Sequence, residues 1–321
     1  MNTIFNWFKK QFDKYPLEFI EEDILKILFK IKEDKKEVRA KDIYNELVNV
    51  SDEAFNNALQ SLFDKKDIKS TNEQISLEES GHFKAIQLIR KHRIYEKYLA
   101  EKTGFSKENW HSKAERKEHL LSDEEVDQMD KELGYPKFDP HGDPIPTKDG
   151  VLPKLKGRPL SKIKQNSLVK IIHIEDEPKE VYLELLKKDI HIGSLLSIQS
   201  TKDKLIYTSE SRNFEFSENE LNNIQVVIIE TAEVLPKNIN RLTDLKLGER
   251  AIIYSLSQEC RGINRRRLLD LGFVKGSNIE ISMVSPMRDP KAFLIRDTLI
   301  ALRKEQTNMI LIKKVNQDEQ Q

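Results

Sequence analysis

Residues 185–198, LLKKDIHIGSLLSI, and residues 268–281, LLDLGFVKGSNIEI, align position for position at an offset of 83 residues. In each copy a short helical run leads to an apolar residue (Ile190, Phe273), then to a glycine turn (Gly193, Gly276), then to an alternating strand. A second pair, PLSKIKQNSLVKII and RLTDLKLGERAIIY, precedes the first. A repeat of this kind marks two tandem supersecondary units, each needing its own buried face. The C-terminal half should therefore fold as two small β-barrels, spanning 158–232 and 240–315 and joined by AEVLPKNIN. About 75 residues each suffices for a single core.

The other half reads differently. YPKFDPHGDPIPTKDG, residues 135–150, is too rich in Pro, Gly and Asp for anything but loop, and everything before it is patterned for helix. In residues 17–81, EEDILKILFKI places Ile24, Ile27, Leu28 and Ile31 on one face, and RAKDIYNELV gives a short second helix. Ser51 can N-cap a third helix, SDEAFNNALQSLFDKK. DIKSTNEQISLEESG then alternates like a two-stranded wing. That order is the winged helix-turn-helix plan, whose third helix enters the major groove of DNA. Residues 82–150 form an all-helical second domain ending in the loop. Residues 1–16 form an amphipathic extension, with Ile4, Phe5, Phe8 and Phe12 at helical spacing, suited to packing on the protein or lying at a membrane surface.

Composition narrows the function classes. Of 321 residues, 54 are Lys or Arg and 54 are Asp or Glu, so no global charge points to a polyanionic partner. The single cysteine, Cys260, excludes a disulfide framework and a cysteine-rich zinc site; a small buried residue is expected there. No apolar run approaches the roughly 20 residues of a membrane span, the start does not read as a signal peptide, and the cytoplasm is the expected compartment. No nucleophile–base pair or phosphate-binding glycine loop points to an enzyme.

One stretch carries chemistry. WHSKAERKEHLLSDE, residues 110–124, read as helix at about 100° per residue, puts His111, Glu115, Glu118 and His119 on one arc and Lys113, Arg116 and Lys117 on the other side. Solvated helices usually interleave opposite charges. Segregation fits either a charged face or a row of metal ligands, and spacing alone does not choose. His92 and Glu96 share a face of the preceding helix.

RKHRIYEKYL, WHSKAERKEHLLSDE and DPHGDPIP, occurring in that order, resemble the diphtheria-toxin-repressor family of metal-dependent regulators from about residue 20 to 232. Residues 241–315, with INRRRLLDLGFVKGSNIEI and SPMRDPKAFLIRDTLIALRKEQ, resemble the FeoA-type domain of ferrous-iron transport systems. The resemblance implies a multidomain α+β chain: winged helix-turn-helix, helical metal-binding and dimerisation domain, then two barrels of the Src-homology-like class. It also implies homodimers and two metal positions. One would use His92, Glu96 and His111, with His173 and Asp176 as candidate additions from the first barrel. The other would use Glu115, Glu118 and His119 with Asp23 from the first helix, and the arc then becomes a ligand face.

Carboxylate and imidazole donors without thiolate suit Mn²⁺ or Fe²⁺. Manganese-responsive relatives carry glutamate at the position of Glu115 and iron-responsive ones cysteine, which tilts the expectation to Mn²⁺. The manganese branch also has an acid where Lys26 stands, which argues against a binuclear manganese site. In the implied mechanism, metal joins Asp23 to Glu118 and His119 and so fixes the spacing of two DNA-binding heads. Asn56, Asn57 and Gln60 would read bases, with Arg39, Lys41, Lys65 and Lys66 on phosphates. Against this, residues 17–81 hold 10 Lys or Arg and 16 Asp or Glu, and phosphate affinity depends on cations. The alternative is a metal-sensing interaction protein that has lost DNA binding and acts on a metal transporter through its barrels. His82, His141 and His191 are expected to be structural. Arg265, Arg266 and Arg267 open the last domain's helix in a structural or docking role.

Overall fold

The computed structural model describes residues 16–33, 38–163, 166–188, 190–200, 205–209, 212–229, 239–257 and 260–315. The amphipathic extension expected at 1–16, apart from Pro16, and nearly all of the linker at 232–240 lie outside them, as do Lys35 and Lys36. The chain divides into two units, one holding residues 1–97, 110–139 and 144–154, the other the remainder.

In the first unit, α1 (Leu17–Glu33), α2 (Ala40–Glu46) and α3 (Asp52–Asp64) precede a hairpin of β1 (Ile68–Thr71) and β2 (Gln74–Leu77). The apolar spacing of α1 buries Ile20, Ile24, Leu25 and Leu28 against Phe55, Ala58 and Leu62 of α3. Ser51 caps α3 as expected, its hydroxyl accepting from the Ala54 amide at 3.2 Å. The hairpin turns at Asn72 and Glu73, both with positive φ, the backbone that matches the twist of a two-residue turn.

Helix α4 (Glu79–Lys102) is 24 residues long. Its first turns close the head's core through Ala85, Ile86 and Ile89. Ile94 belongs to a smaller core with Leu121, Val126 and Ile145. Helices α5 (Trp110–Glu118) and α6 (Asp123–Glu132) follow. The stretch at 110–124 is therefore not one helix: α5 ends at Glu118 and a turn carries His119. Ser122 restarts helical structure with a reciprocal cap to Glu125. Buried Arg90 on α4 pairs with Asp130 at 2.7 Å and Asp127 at 3.0 Å, pinning α6. Residues 135–150 contain no named helix or strand, and a single bridge joins Phe138 to Pro144.

The second unit contains two six-stranded antiparallel sheets. The first uses β3 (Arg158–Pro159), β4 (Ser167–Ile174), β5 (Leu195–Ser200), β6 (Leu205–Ser209), β7 (Arg212–Phe214) and β8 (Ile224–Ile228), with helices α7 (Lys179–Lys187) and α8 (Glu218–Asn222). The second uses β9 (Ile239–Arg241), β10 (Arg250–Leu256), β11 (Asn278–Val284), β12 (Lys291–Ile295), β13 (Thr298–Leu302) and β14 (Ile310–Lys314), with α9 (Gly262–Asp270) and α10 (Lys304–Asn308). Strand order is β3-β8-β4-β5-β6-β7 in one and β9-β14-β10-β11-β12-β13 in the other, the same topology twice. Among the described residues, no pairing joins β3 to β7 or β9 to β13, so neither sheet closes through hydrogen bonds.

The repeat seen in the sequence sets this geometry in detail. Gly193 and Gly276 adopt φ of 90° and 88°, a region glycine enters without penalty. Their amides donate to Ile171 and Ile253 at 2.7 and 2.8 Å. Ile190 and Phe273 fill the two cores. Cys260 is buried in the second core, and Arg265, Arg266 and Arg267 are exposed on α9. Among the described residues no helix is long and apolar enough to cross a membrane.

Candidate metal centre

Two groups of potential ligands form in the first unit. In the first, His92 and Glu96 stand one turn apart on α4, and α5 brings His111 over them. One ligand atom from each lies within 4.8 Å of the others. Glu96 Oε1 is 3.2 Å from His92 Nε2 and 3.4 Å from His111 Nδ1. Glu115, expected in the other position with Glu118 and His119, is instead a turn beyond His111 and 3.3 Å from its Nε2. Glu96 is buried at 1% exposure, whereas the Glu115 side chain remains 53% exposed. Its hydrogen bond to His111 holds the Glu115 carboxyl below the usual range, against the opposing effect of burial.

The second group consists of Asp23, Glu118 and His119, again within 4.8 Å of one another. Because α5 ends at Glu118, the turn swings His119 toward α1, where its ring stacks on Phe19 at 4.6 Å. His119 Nδ1 is 2.6 Å from Glu22, and its Nε2 is 3.3 Å from Asp23. Burial opposes protonation of this imidazole, but the hydrogen bonds to Asp23 and Glu22 raise its pKa to about 9.

Glu118 is almost fully buried and already engaged. Lys26 Nζ on α1 donates to both its oxygens, at 2.8 and 3.0 Å, and His92 Nδ1 hydrogen-bonds to Oε2. Burial alone would raise the Glu118 pKa; His92 and Lys26 pull it down to about 2. For His92, burial and Lys26 disfavour the cation, and Glu96 and Glu118 outweigh them, so its pKa is raised. Glu118 thus stands between the two groups, facing His92 of one and His119 of the other.

The donors in both groups are carboxylate and imidazole, the set that suits Mn²⁺ and Fe²⁺. Three convergent groups can supply part of a coordination shell. The chemistry of the first group fits a divalent ion. In the second group one acceptor is shared with an ammonium. Sequence reasoning did not find Glu22. Its neighbour Asp23 had been singled out, but which α1 carboxylates reach His119 depends on where α5 stops.

The other expected residues can each be placed within their own unit. His173 and Asp176 lie in the second unit. His173 Nε2 is 3.4 Å from Asp143, and Asp176 is 3.8 Å from His141 Nε2. His141 is buried, its ring meets Tyr182 edge-on, and its carbonyl accepts from the Ile174 amide. Beside it Gly142 has φ of 92°, and a Cβ there would fall 2.2 Å from the Ile172 oxygen. His191 is buried with Nδ1 3.2 Å from Lys107, and His82 is half-buried beside Phe29.

Of the DNA candidates, Asn56, Asn57, Gln60, Lys65 and Lys66 are exposed on or just after α3, and Arg39 and Lys41 at the start of α2. Two of these are committed locally. Lys65 pairs with Glu21 at 2.5 Å, and the Gln60 amide donates to Asp64 at 2.9 Å.

Comparison with known proteins bears out the resemblance read from the sequence. Residues 78–147 match the family described as the metal binding and dimerisation domain of iron dependent repressors, and residues 240–314 match the FeoA domain. A probable metal transport system membrane protein of Chlamydia trachomatis is 35% identical over 133 residues, 39% of this chain and 29% of that protein. The chain thus spans less than a third of that relative. The diphtheria toxin repressor of Corynebacterium diphtheriae is 23% identical over 169 residues, half of this chain and 75% of the repressor. Among solved structures, a manganese-dependent transcriptional repressor in complex with manganese superposes with a TM-score of 0.58 at 24% identity. It covers 65% of this chain and 99% of that one. At that identity the likeness is one of fold.

Proposed function

We propose that this chain, which joins an iron-dependent-repressor metal-binding domain to a FeoA domain, is a metal-dependent DNA-binding regulator of Mn²⁺ or Fe²⁺ homeostasis. The observation that carries the reading is the convergence of His92, Glu96 and His111 from two helices into one ligand group. An ion held there, with Glu115 closing over it, would fix α5 against α4. Glu118 belongs to the same α5 and holds α1 of the head, so fixing α5 fixes the head. In a homodimer built through the helical domain, that posture sets the separation of two α3 helices. The ion favours the competent arrangement only by binding it more tightly than the alternatives.

In this reading 17–81 is the winged head, 82–150 the metal and dimer domain, and 158–232 and 240–315 are small barrels of the Src-homology-like class. His173 and Asp176 are carried as candidate additions from the first barrel. The protein works without catalysis of its own, in the cytoplasm.

The test is capture of sheared host genomic DNA by the metal-free and Mn²⁺-loaded full chain at about 50 and 200 mM salt. Enrichment of defined fragments only with metal supports the regulator. Equal, featureless recovery in every condition overturns it.

A second reading is favoured by the acidic head, in which 16 acids face 10 bases and Lys65 is already paired. Here the metal-set posture is passed to a metal-transport protein through the sheets of the second unit. The same capture experiment separates the two, because this reading expects metal binding without DNA recovery.

A further inference from the structure

We propose that Lys26 is a built-in cation of the second ligand group, tying the head to the helical domain through Glu118 without metal, so that each chain takes a single divalent ion, at the first group.

The placement of Lys26 carries the argument. Its ammonium contacts both oxygens of Glu118 at 2.8 and 3.0 Å and lies 3.3 Å from His92 Nδ1. The carboxylate it neutralises is 1% exposed, while its own side chain is 24% exposed. A buried carboxylate needs a partner, and a compact point charge on a flexible stem supplies one. Glu22, Asp23 and Lys26 occupy one turn of α1, so this helix offers two anions to His119 and one cation to Glu118 from adjacent positions. Ion pairs thereby join α1 to the end of α5, beside the stacking of His119 on Phe19.

An ion entering the second group would have to share Glu118 with that ammonium and meet its repulsion in a poorly solvated setting, where charges interact more strongly than in water. Toward the first group Lys26 stands 3.3 Å from His92 Nδ1, whereas both oxygens of Glu118 accept from it. The single-ion count rests on the reading of the first group as a metal centre; the ion-pair tie does not.

Two measurements on the full chain decide the matter. Chelator-treated protein is first equilibrated with MnCl₂ by dialysis and calorimetry. Wild type and Lys26→Arg should saturate at one ion per chain, and Lys26→Glu, which replaces the ammonium with a ligand, at two. Two ions on wild type, or one on Lys26→Glu, overturns the proposal. Amide hydrogen exchange of the metal-free protein is then compared in α1 and α5. Lys26→Met should exchange roughly tenfold faster or more there, and Lys26→Arg within about twofold of wild type. Equal protection in wild type and Lys26→Met overturns the tie. Should Mn²⁺ bind nowhere on wild type, the metal centre and the ion count both fall, and the exchange result alone supports or overturns the tie.

Discussion

The first and second ligand groups use the same two kinds of side chain, yet they are assembled differently. His92, Glu96, His111 and Glu115 come in two pairs spaced by four residues on α4 and α5, so each helix presents its own half. Asp23 and Glu118 lie 95 positions apart, and their group exists only where α1 meets the end of α5. The first group lies between two neighbouring helices; the second is a joint, formed only where the end of α5 meets α1. A joint must hold whether or not a ligand is present, and here it is already satisfied by Lys26, Glu22 and His92. Loss of a side chain should therefore show up as lost affinity in the first group and as lost stability in the second.

The harshest break of that contrast is Glu118→Gln. It strips Lys26 and His92 of their shared counterion in a buried setting, where removing one partner of an ion pair costs roughly 3–5 kcal/mol. Because Lys26 keeps access to water, the low end applies. The expected loss is about 3 kcal/mol in urea unfolding of the metal-free protein. A change under about 1 kcal/mol would mean the joint is held by packing alone.

His111→Ala sharpens the other side. Its imidazole is partly exposed, and its acidic neighbours Glu96 and Glu115 flank the position an ion would take. Mn²⁺ affinity should fall roughly a hundredfold, since even outer-shell partners of a metal cost ten- to a hundredfold when lost. Metal-free stability should move by under about 1 kcal/mol, the scale of an exposed pair. Calorimetry and urea unfolding on one preparation read both numbers.

How much of this was legible in the sequence follows the same division. The repeat predicted both sheets, their glycine turns and the core positions Ile190 and Phe273, because register and turn geometry are local properties. The i,i+4 spacing placed His92 with Glu96 and His111 with Glu115 for the same reason. The helical wheel drawn through 110–124 failed beyond Glu118, where the helix stops and His119 swings out to α1. Nothing in HLLSDE states which way a turn leaves a helix; the packing of Phe19 decides it. Lys26 was visible as a departure from the expected acid, but its engagement with Glu118 is a tertiary fact. The acidity of the head was countable, whereas the pairing of Lys65 with Glu21 was not.

The pH response of the metal-free joint should be two-sided. Glu118 has its folded pKa depressed to about 2, so its contribution is present above the unfolded carboxylate value and is lost as pH falls through the folded one. His119 is raised to about 9 from 6.5. Its contribution is full below pH 6.5 and drains away as pH rises toward 9. Urea midpoints measured from pH 6 to 9.5 should decline over that alkaline window in wild type and stay flatter in His119→Asn. A matching decline in the variant would assign the effect to another group.

The smallest effect belongs to Glu115→Gln, the edge of the first group. Glu115 is about half exposed and pairs with a partly exposed His111, so its hydrogen bond competes with water, and the amide oxygen of glutamine can still accept from the ring. Stability of the metal-free protein should change by about 0.5 kcal/mol or less. Mn²⁺ binding should weaken more visibly, by roughly tenfold, because an amide is a poorer donor to a hard cation than a carboxylate. The ratio of the two effects is the informative quantity. If stability falls as much as affinity, Glu115 works as a structural partner of His111, and the first group shrinks to the three residues that α4 and the start of α5 bring together. If affinity alone falls, the ion reaches out to the exposed edge of α5, and the contrast between a site that waits for its cation and a joint that carries its own is drawn one residue further along the chain.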